Sequence, residues 1–150
     1  MDQTEAHDMT VPAFSYQLLR DTLIPELLGK DHAMIQYWAG KNLARQYPLE
    51  TIEQTVEFFS KAGWGKLDVD TEGKTNITFT LSSALVTDRL KQHKNVPFTL
   101  ESGFLAQQIQ MMKNRFTDAQ SSLKRGQNVA ITVQWDPKDV VEEVGRRSRK

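Results

Sequence analysis

The sequence predicts an α+β protein: a four-stranded antiparallel sheet made of two hairpins, with helices packed on its apolar face. Three observations predict it. Apolar side chains recur at helical spacing through the first third of the chain; from Leu67 the period falls to two; and the two-residue alternation returns in a second pair of segments beyond a long helical stretch that starts at Thr99. An antiparallel sheet can bury one face and leave the other in water, as the alternation requires.

The elements follow in order. Phe14, Leu18, Leu19, Leu23 and Leu27 form one apolar stripe on a first helix, which Pro25 should kink or restart and Gly29 should stop. Asp31 is placed to cap a second helix running to about Tyr47, because the residue before Pro48 is disfavoured in helical geometry. Thr51, Ile52, Val56 and Phe59 mark a third helix, with a Glu57–Lys61 pair at i,i+4 and Gly63 at its C-terminal end. Leu67 and Val69, then Ile77, Phe79 and Leu81, alternate with polar residues about the turn Thr71 to Lys74, which reads as a hairpin. Residues Ser82 to Val96 form a polar connection with room for a short helix, and Thr99 should cap the long helix that runs to about Asn114. A weaker strand around Ala119, Ser121 and Leu123, the turn Arg125 to Asn128, and a strong strand with Val129, Ile131, Val133 and Trp135 on one face complete the second hairpin. Pro137 should end that last strand, since proline donates no ladder hydrogen bond. Residues 1–12 and 139–150 are expected as tails about one domain spanning 13–138.

The composition excludes several classes. The chain has 150 residues, 19 basic and 19 acidic side chains, and no cysteine. At this length roughly 68–70% of the unfolded chain's surface can be buried, so the core needs no disulfide or metal staple. Zero net charge speaks against a dedicated nucleic-acid binder. Without cysteine there is no thiolate catalysis, iron–sulfur cluster or cysteine zinc site. The acidic N-terminus lacks the features of a secretory signal, and no apolar run approaches the roughly 20 residues of a membrane span. A cytoplasmic setting is the expectation, and Asn76-Ile77-Thr78 is then strand chemistry and not a glycosylation site.

Catalytic and metal motifs are not found: G-x-S-x-G, the P-loop and H-E-x-x-H are absent, and Gly63-Trp64-Gly65 lacks the third glycine and the strand-to-helix order of a dinucleotide loop. His7, His32 and His93 have no metal-ligand spacing and read as ordinary surface residues. Asp68 to Gly73 imitates the start of a calcium loop, but its twelfth position is Phe79 where a bidentate glutamate is required. No metal and no cofactor are expected. Two basic patches, Arg89, Lys91, His93 and Lys94 before the long helix and Arg146, Arg147, Arg149 and Lys150 at the end, read as solvated charge, with an anion-attracting lip as the functional alternative.

Two helices depart from a plain core pattern. On the second, Ala33, Tyr37, Gly40, Ala44 and Tyr47 share one face whose small residues admit a close-packed backbone, while Met34, Ile35 and Trp38 occupy the other side. Such a helix is either deeply buried or held between its own core and a partner, so Ala33, Tyr37, Gly40 and Ala44 are the candidate homodimer contacts. On the Thr99 helix, Glu101 and Gln108 project between two apolar ridges and must find polar partners. Their structural roles would be complementing the helix dipole and tying down a backbone group of the sheet. Their functional role would be to orient a ligand in an apolar pocket, with Trp38, Phe104 and Met112 as the lining and no covalent link.

Tyr37-Trp38-Ala39-Gly40-Lys41 with Leu43-Ala44-Arg45, Pro48-Leu49-Glu50, Ala62-Gly63-Trp64-Gly65, Arg89-Leu90-Lys91, Leu100-Glu101-Ser102-Gly103-Phe104 with Gln108-Ile109-Gln110, and Thr132-Val133-Gln134-Trp135-Asp136 give the chain a further likeness over about Ala13 to Asp139. It resembles the YslB-like family of small bacterial proteins of Firmicutes. That family is similar in architecture to the TRAPP and 4-vinyl-reductase superfamily. The resemblance implies helices on a four-stranded antiparallel sheet, dimerisation through helices, and in several members an enclosed hydrophobic molecule. Superfamily members that hold an acyl chain or a metal through cysteine have no counterpart in a chain without cysteine, so any ligand must be noncovalent. The leading expectation is therefore a homodimeric, non-enzymatic domain that binds a small hydrophobic molecule. A ligand-free scaffold for protein contacts is the alternative, and an acid–base enzyme using Glu101 comes third because no second catalytic group stands at a fixed spacing from it.

Overall fold

A computed structural model describes residues 9–93, 95–124 and 127–141. The basic cluster Arg146, Arg147, Arg149 and Lys150, together with His7 and Lys94, lies outside the described residues.

The first helix, α1, is built from Ala13–Gln17, a π-helical turn Leu18–Leu23, and Ile24–Leu28. The wide turn has an identifiable cause. Pro25 has no N–H and its ring crowds the preceding carbonyls, and just before it the Ile24 N–H reaches back five residues to the Leu19 carbonyl. The expected kink is thus absorbed as a π turn. Gly29, at φ +79°, opens a short 3₁₀ turn, Gly29–Asp31, that leads into α2, His32–Gln46. Asp31 makes no side-chain cap, contrary to expectation, because it is still part of that turn. The third helix, α3, spans Ile52–Lys61; the Thr51 hydroxyl accepts from Gln54 N, and Lys61 pairs with Glu57 at 3.1 Å.

The sheet has the order β1-β2-β4-β3, all antiparallel, with β1 Lys66–Glu72, β2 Asn76–Ser82, β3 Arg115–Lys124 and β4 Asn128–Val140. The hairpins meet where β2 and β4 pair, with Ile77 opposite Val133, Phe79 opposite Ile131 and Leu81 opposite Val129. These six side chains are buried and make the inner face. On the edge strand β1, Leu67 is buried but Val69 is exposed beside a register shift at Asp70, so the expected alternation is broken there. The last strand passes Pro137 instead of ending at it. Beyond Gln134 it has no β2 partner, and the pairing with β3 jumps from Thr117–Trp135 to Arg115–Val140, so proline sits in a bulge where no ladder donor is missed.

Between the hairpins lie α4, Ala84–Gln92, capped by the Ser83 hydroxyl, and α5, Thr99–Lys113. Thr99 is not the cap of α5: its hydroxyl donates to the Ala33 carbonyl of α2 at 2.6 Å. Residues Glu101 to Ile109 are all buried, because α5 lies in the middle of the molecule, with the sheet on one side and α2 on the other. Gly40 and Gly103 make that second contact. A Cβ on Gly103 would collide with the Tyr37 carbonyl, and one on Gly40 would collide with the Leu100 carbonyl and come 2.8 Å from Phe104 N. The two helix backbones therefore touch, as only glycine permits.

Candidate functional site

The polar residues of α1, and not its leucines, face the protein. Phe14, Leu18, Leu23 and Leu27 are spaced by four, five and four residues, and the π turn supplies the extra residue that keeps them on one line. That line points outward: Phe14 is 71% exposed and Leu27 72%, with Leu18, Leu19 and Leu23 also exposed. On α2, Met34, Ile35 and Trp38 are exposed as well. Lys41 Nζ stands 5.0 Å from both the Trp38 and Tyr37 ring centroids, an arrangement that leaves its charge in water.

The inward side of α1 carries Tyr16, Arg20 and Asp21 into a buried charge cluster. Arg20 Nη2 donates to Glu101 Oε1 of α5 at 2.5 Å, Nη1 to the Tyr16 hydroxyl at 2.6 Å, and Nε to Gln36 Oε1 of α2 at 3.3 Å. Asp21 accepts from Arg89 Nε and Nη2 of α4 at 2.9 and 2.8 Å, a fork-to-fork pair. Arg89 is further held between rings, 4.7 Å from the Phe98 centroid and 5.6 Å from that of Tyr16. Arg89 and Glu101 side chains are 1% and 0% exposed. Burial alone would lower the Arg20 pKa, but Glu101 and the tyrosine oxygen outweigh it and hold the guanidinium above its ordinary value. Burial pushes the Tyr16 hydroxyl up, against the pull of Arg20. Among the described residues two buried side-chain atoms have no hydrogen-bond partner: Arg89 Nη1 and Glu101 Oε2, which face each other at 3.8 Å. A water touching both would satisfy them.

A cleft of about 300 Å³ opens in front of this cluster, lined by Arg20, Asp21, Pro25, His32, Gln36, His93, Asn95, Val96 and Pro97. A second groove of about 410 Å³, between α1 and α4, is lined by Phe14, Leu18, Asp88 and His93 among others.

The sequence-predicted site residues do not converge on a cavity. Phe104 is fully buried, stacked on Phe58 at 4.6 Å and edge-on to Trp64 at 5.1 Å, in an aromatic cluster that also holds Phe59. Gln108 is fully buried too, its amide donating to the Tyr47 carbonyl at 2.8 Å and accepting from Leu49 N at 3.0 Å. It ties down the α2–α3 connection and not the sheet. Met112 packs on the edge of the core, and Trp38 projects from α2 at 56% exposure. Glu101 is enclosed by arginines and lines neither cleft. None of Trp38, Glu101, Phe104, Gln108 and Met112 lines either of the two clefts.

The expected dimer face is likewise used within the chain. Gly40 and Ala44 are buried against α5, the Ala33 carbonyl takes the Thr99 hydroxyl, and the Tyr37 hydroxyl accepts from Ala119 N of edge strand β3 at 3.2 Å. The small residues do admit a close backbone, but it is the chain's own α5. Arg89, read as solvated charge, is instead buried at 1% exposure; Lys91 and His93 are exposed as expected. The cluster Tyr16, Arg20, Asp21 and Gln36 escaped sequence reasoning. Its only signal was two adjacent opposite charges, Arg20-Asp21, opposite an apolar stripe.

The family described as "Protein of unknown function (DUF2507)" matches residues 13–134. This chain belongs to that family. It is 40% identical over 135 residues to "Uncharacterized protein YslB" of Bacillus subtilis (strain 168), covering 89% of this chain and 91% of that protein. Among solved structures it is similar to a vinyl-4-reductase family protein from Methanocaldococcus jannaschii, with a TM-score of 0.59 at 14% identity over 89% of this chain and 88% of the other. It is also similar to an Fe(II) unliganded H-NOX protein mutant from K. algicida, with a TM-score of 0.50 at 11% identity over 87% and 76%. At these identities the likeness is one of fold, and it bears out the 4-vinyl-reductase-like architecture expected from the DUF2507 chain's sequence. Among the described residues no helix is long and apolar enough to cross a membrane, and no group of three or more histidine, aspartate or glutamate side chains is arranged to hold a metal.

Proposed function

We propose that this protein is a non-enzymatic assembly domain that pairs with a second copy of itself through the outward apolar faces of α1 and α2, in a cytoplasmic setting. The observation that carries the reading is the orientation of α1. At roughly 200 Å² per large side chain, the exposed fractions of Phe14, Leu18, Leu19, Leu23, Leu27, Met34, Ile35 and Trp38 sum to about 900 Å². A standard interface takes about 800 Å² from each partner, which this area can supply. A helical stripe is a self-complementary surface, as a two-fold interface requires, and a chain with no net charge offers no overall repulsion to a copy of itself. Use of helices for pairing agrees with what the family resemblance implies, although the face is not the small-residue one. The packed interior around Phe104 and Gln108 favours this scaffold reading over an enclosed hydrophobic ligand.

Light scattering on the purified protein tests it. The wild type should show twice its 17.2 kDa mass. The double substitution Leu18→Glu with Leu23→Glu should give the monomer with an unchanged circular dichroism spectrum. A wild type that stays monomeric at high concentration, or a variant that still dimerises, overturns the proposal.

A further inference from the structure

The cleft in front of the charge cluster has its hydrogen-bonding polarity set by a chain of obligatory donors. Arginine can only donate, so the Arg20 Nε contact makes Oε1 the Gln36 atom that faces it. The other end of that carboxamide is then its NH₂, which lies 3.2 Å from His32 Nδ1. An NH₂ donates, so Nδ1 accepts, and the proton of the neutral imidazole resides on Nε2. His32 lines the cleft, and its Nε2–H has no protein partner among the described residues. The exposed side chains of His93 and Asn95 add further donors at the rim.

Of the nearby carboxylate oxygens only Glu101 Oε2 lacks a hydrogen-bond partner, and Glu101 does not line the cleft. Both Asp21 oxygens are engaged by Arg89, and Glu101 Oε1 by Arg20. Among the lining side chains His32 thus offers an unengaged donor, and the remaining wall, Pro25, Val96 and Pro97, is apolar. We propose that this cleft binds a small organic anion, a carboxylate or phosphate ester with a short apolar body, whose oxygens accept from His32 Nε2–H and the rim donors while its body lies against Pro97. A volume of about 300 Å³ is at the lower end of the range for small-molecule sites and matches a ligand of that size. The lining of the cleft contains none of the exposed leucines of α1.

The test is an amide-detected NMR titration of the full-length protein with acetate, butyrate and inorganic phosphate as separate probes. Binding in the cleft predicts saturable shifts at Gln36, His93 and Asn95, with butyrate tighter than acetate if the apolar wall contributes, and with phosphate as the arm that identifies a phosphoryl preference. His32→Ala should weaken the best probe about tenfold, the factor expected for one lost hydrogen bond to an anion. Asn95→Ala, at an exposed rim position, gives a second reading that does not depend on tolerance at α2, and Lys61→Ala on α3 should change nothing. Shifts that do not saturate, that spread over exposed lysines, or that saturate equally in the His32→Ala and Asn95→Ala proteins overturn the proposal.

Discussion

Replacing Glu101 by glutamine should cost this protein a large part of its stability. The substitution keeps the side chain's shape and removes one negative charge from a cluster in which Arg20 and Arg89 are 5% and 1% exposed. Asp21 then remains as the one carboxylate for two buried guanidiniums. At an effective dielectric of about 20, two unit charges about 4 Å apart attract by about 4 kcal/mol. Removing one member of a buried pair characteristically costs about 3–5 kcal/mol, because the charge left behind keeps its desolvation penalty. Against a total stability of about 5–15 kcal/mol, that is a loss of about a fifth or more. For a chain of this size it corresponds to a fall in Tm of about 6–20 °C. Urea unfolding followed by circular dichroism, at one fixed protein concentration because the proposed pairing would contribute to apparent stability, measures it directly. Adding Arg20→Met should restore part of the loss, since the paired Asp21–Arg89 contact survives and the uncompensated cation is gone; a coupling of about 1–3 kcal/mol is expected from the double-mutant cycle. A loss below about 1 kcal/mol for Glu101→Gln, or strict additivity with Arg20→Met, would refute the buried-pair argument.

Other outcomes follow from the same geometry. Gly103→Ala should destabilise by several kcal/mol or abolish folding, because the added carbon meets the Tyr37 backbone and not a movable side chain, while Gly63→Ala has open space and pays only for its positive φ. Gln108→Leu should cost about 1–3 kcal/mol in the same urea assay by leaving Leu49 N and the Tyr47 carbonyl without their partner. Burial raises the Tyr16 hydroxyl above its ordinary pKa of 10, so above about pH 10 the unfolded chain loses this proton before the folded one does; stability should be constant below that pH and fall as pH rises through it. In a pH series of thermal melts Tyr16→Phe should flatten that alkaline decline.

Much of the fold was legible because its signals are local. The alternation of Ile77, Phe79 and Leu81 with threonines specifies a half-buried strand wherever it is placed, and Thr51 and Gly63 bound α3 with chemistry contained in the helix ends themselves. Where a residue had two uses, local reasoning chose the wrong one. Thr99 has the chemistry of a cap, but Ala33 offers its hydroxyl an acceptor from across the molecule. Pro137 ends a regular strand but not a bulged one. Glu101 and Gln108 were recognisable as polar groups in need of partners, and both have them. Their partners, Arg20 on α1 and the backbone around Pro48, lie far away in the chain, so nothing in the local pattern named them.

The sequence by itself determined the element types, the two hairpins, the close approach of a backbone at Gly40 and the absence of any cysteine chemistry. Periodicity, capping and the missing Cβ are properties of a few neighbouring residues. Tertiary structure decided which side of each helix is inside. For α1 the hydrophobic pattern alone would place the leucines in the core, but the inward side of α1 meets Glu101 of α5 and Arg89 of α4. A buried charge must be matched by charge. Arg20 and Asp21 therefore turn inward, and the leucine stripe is left facing out.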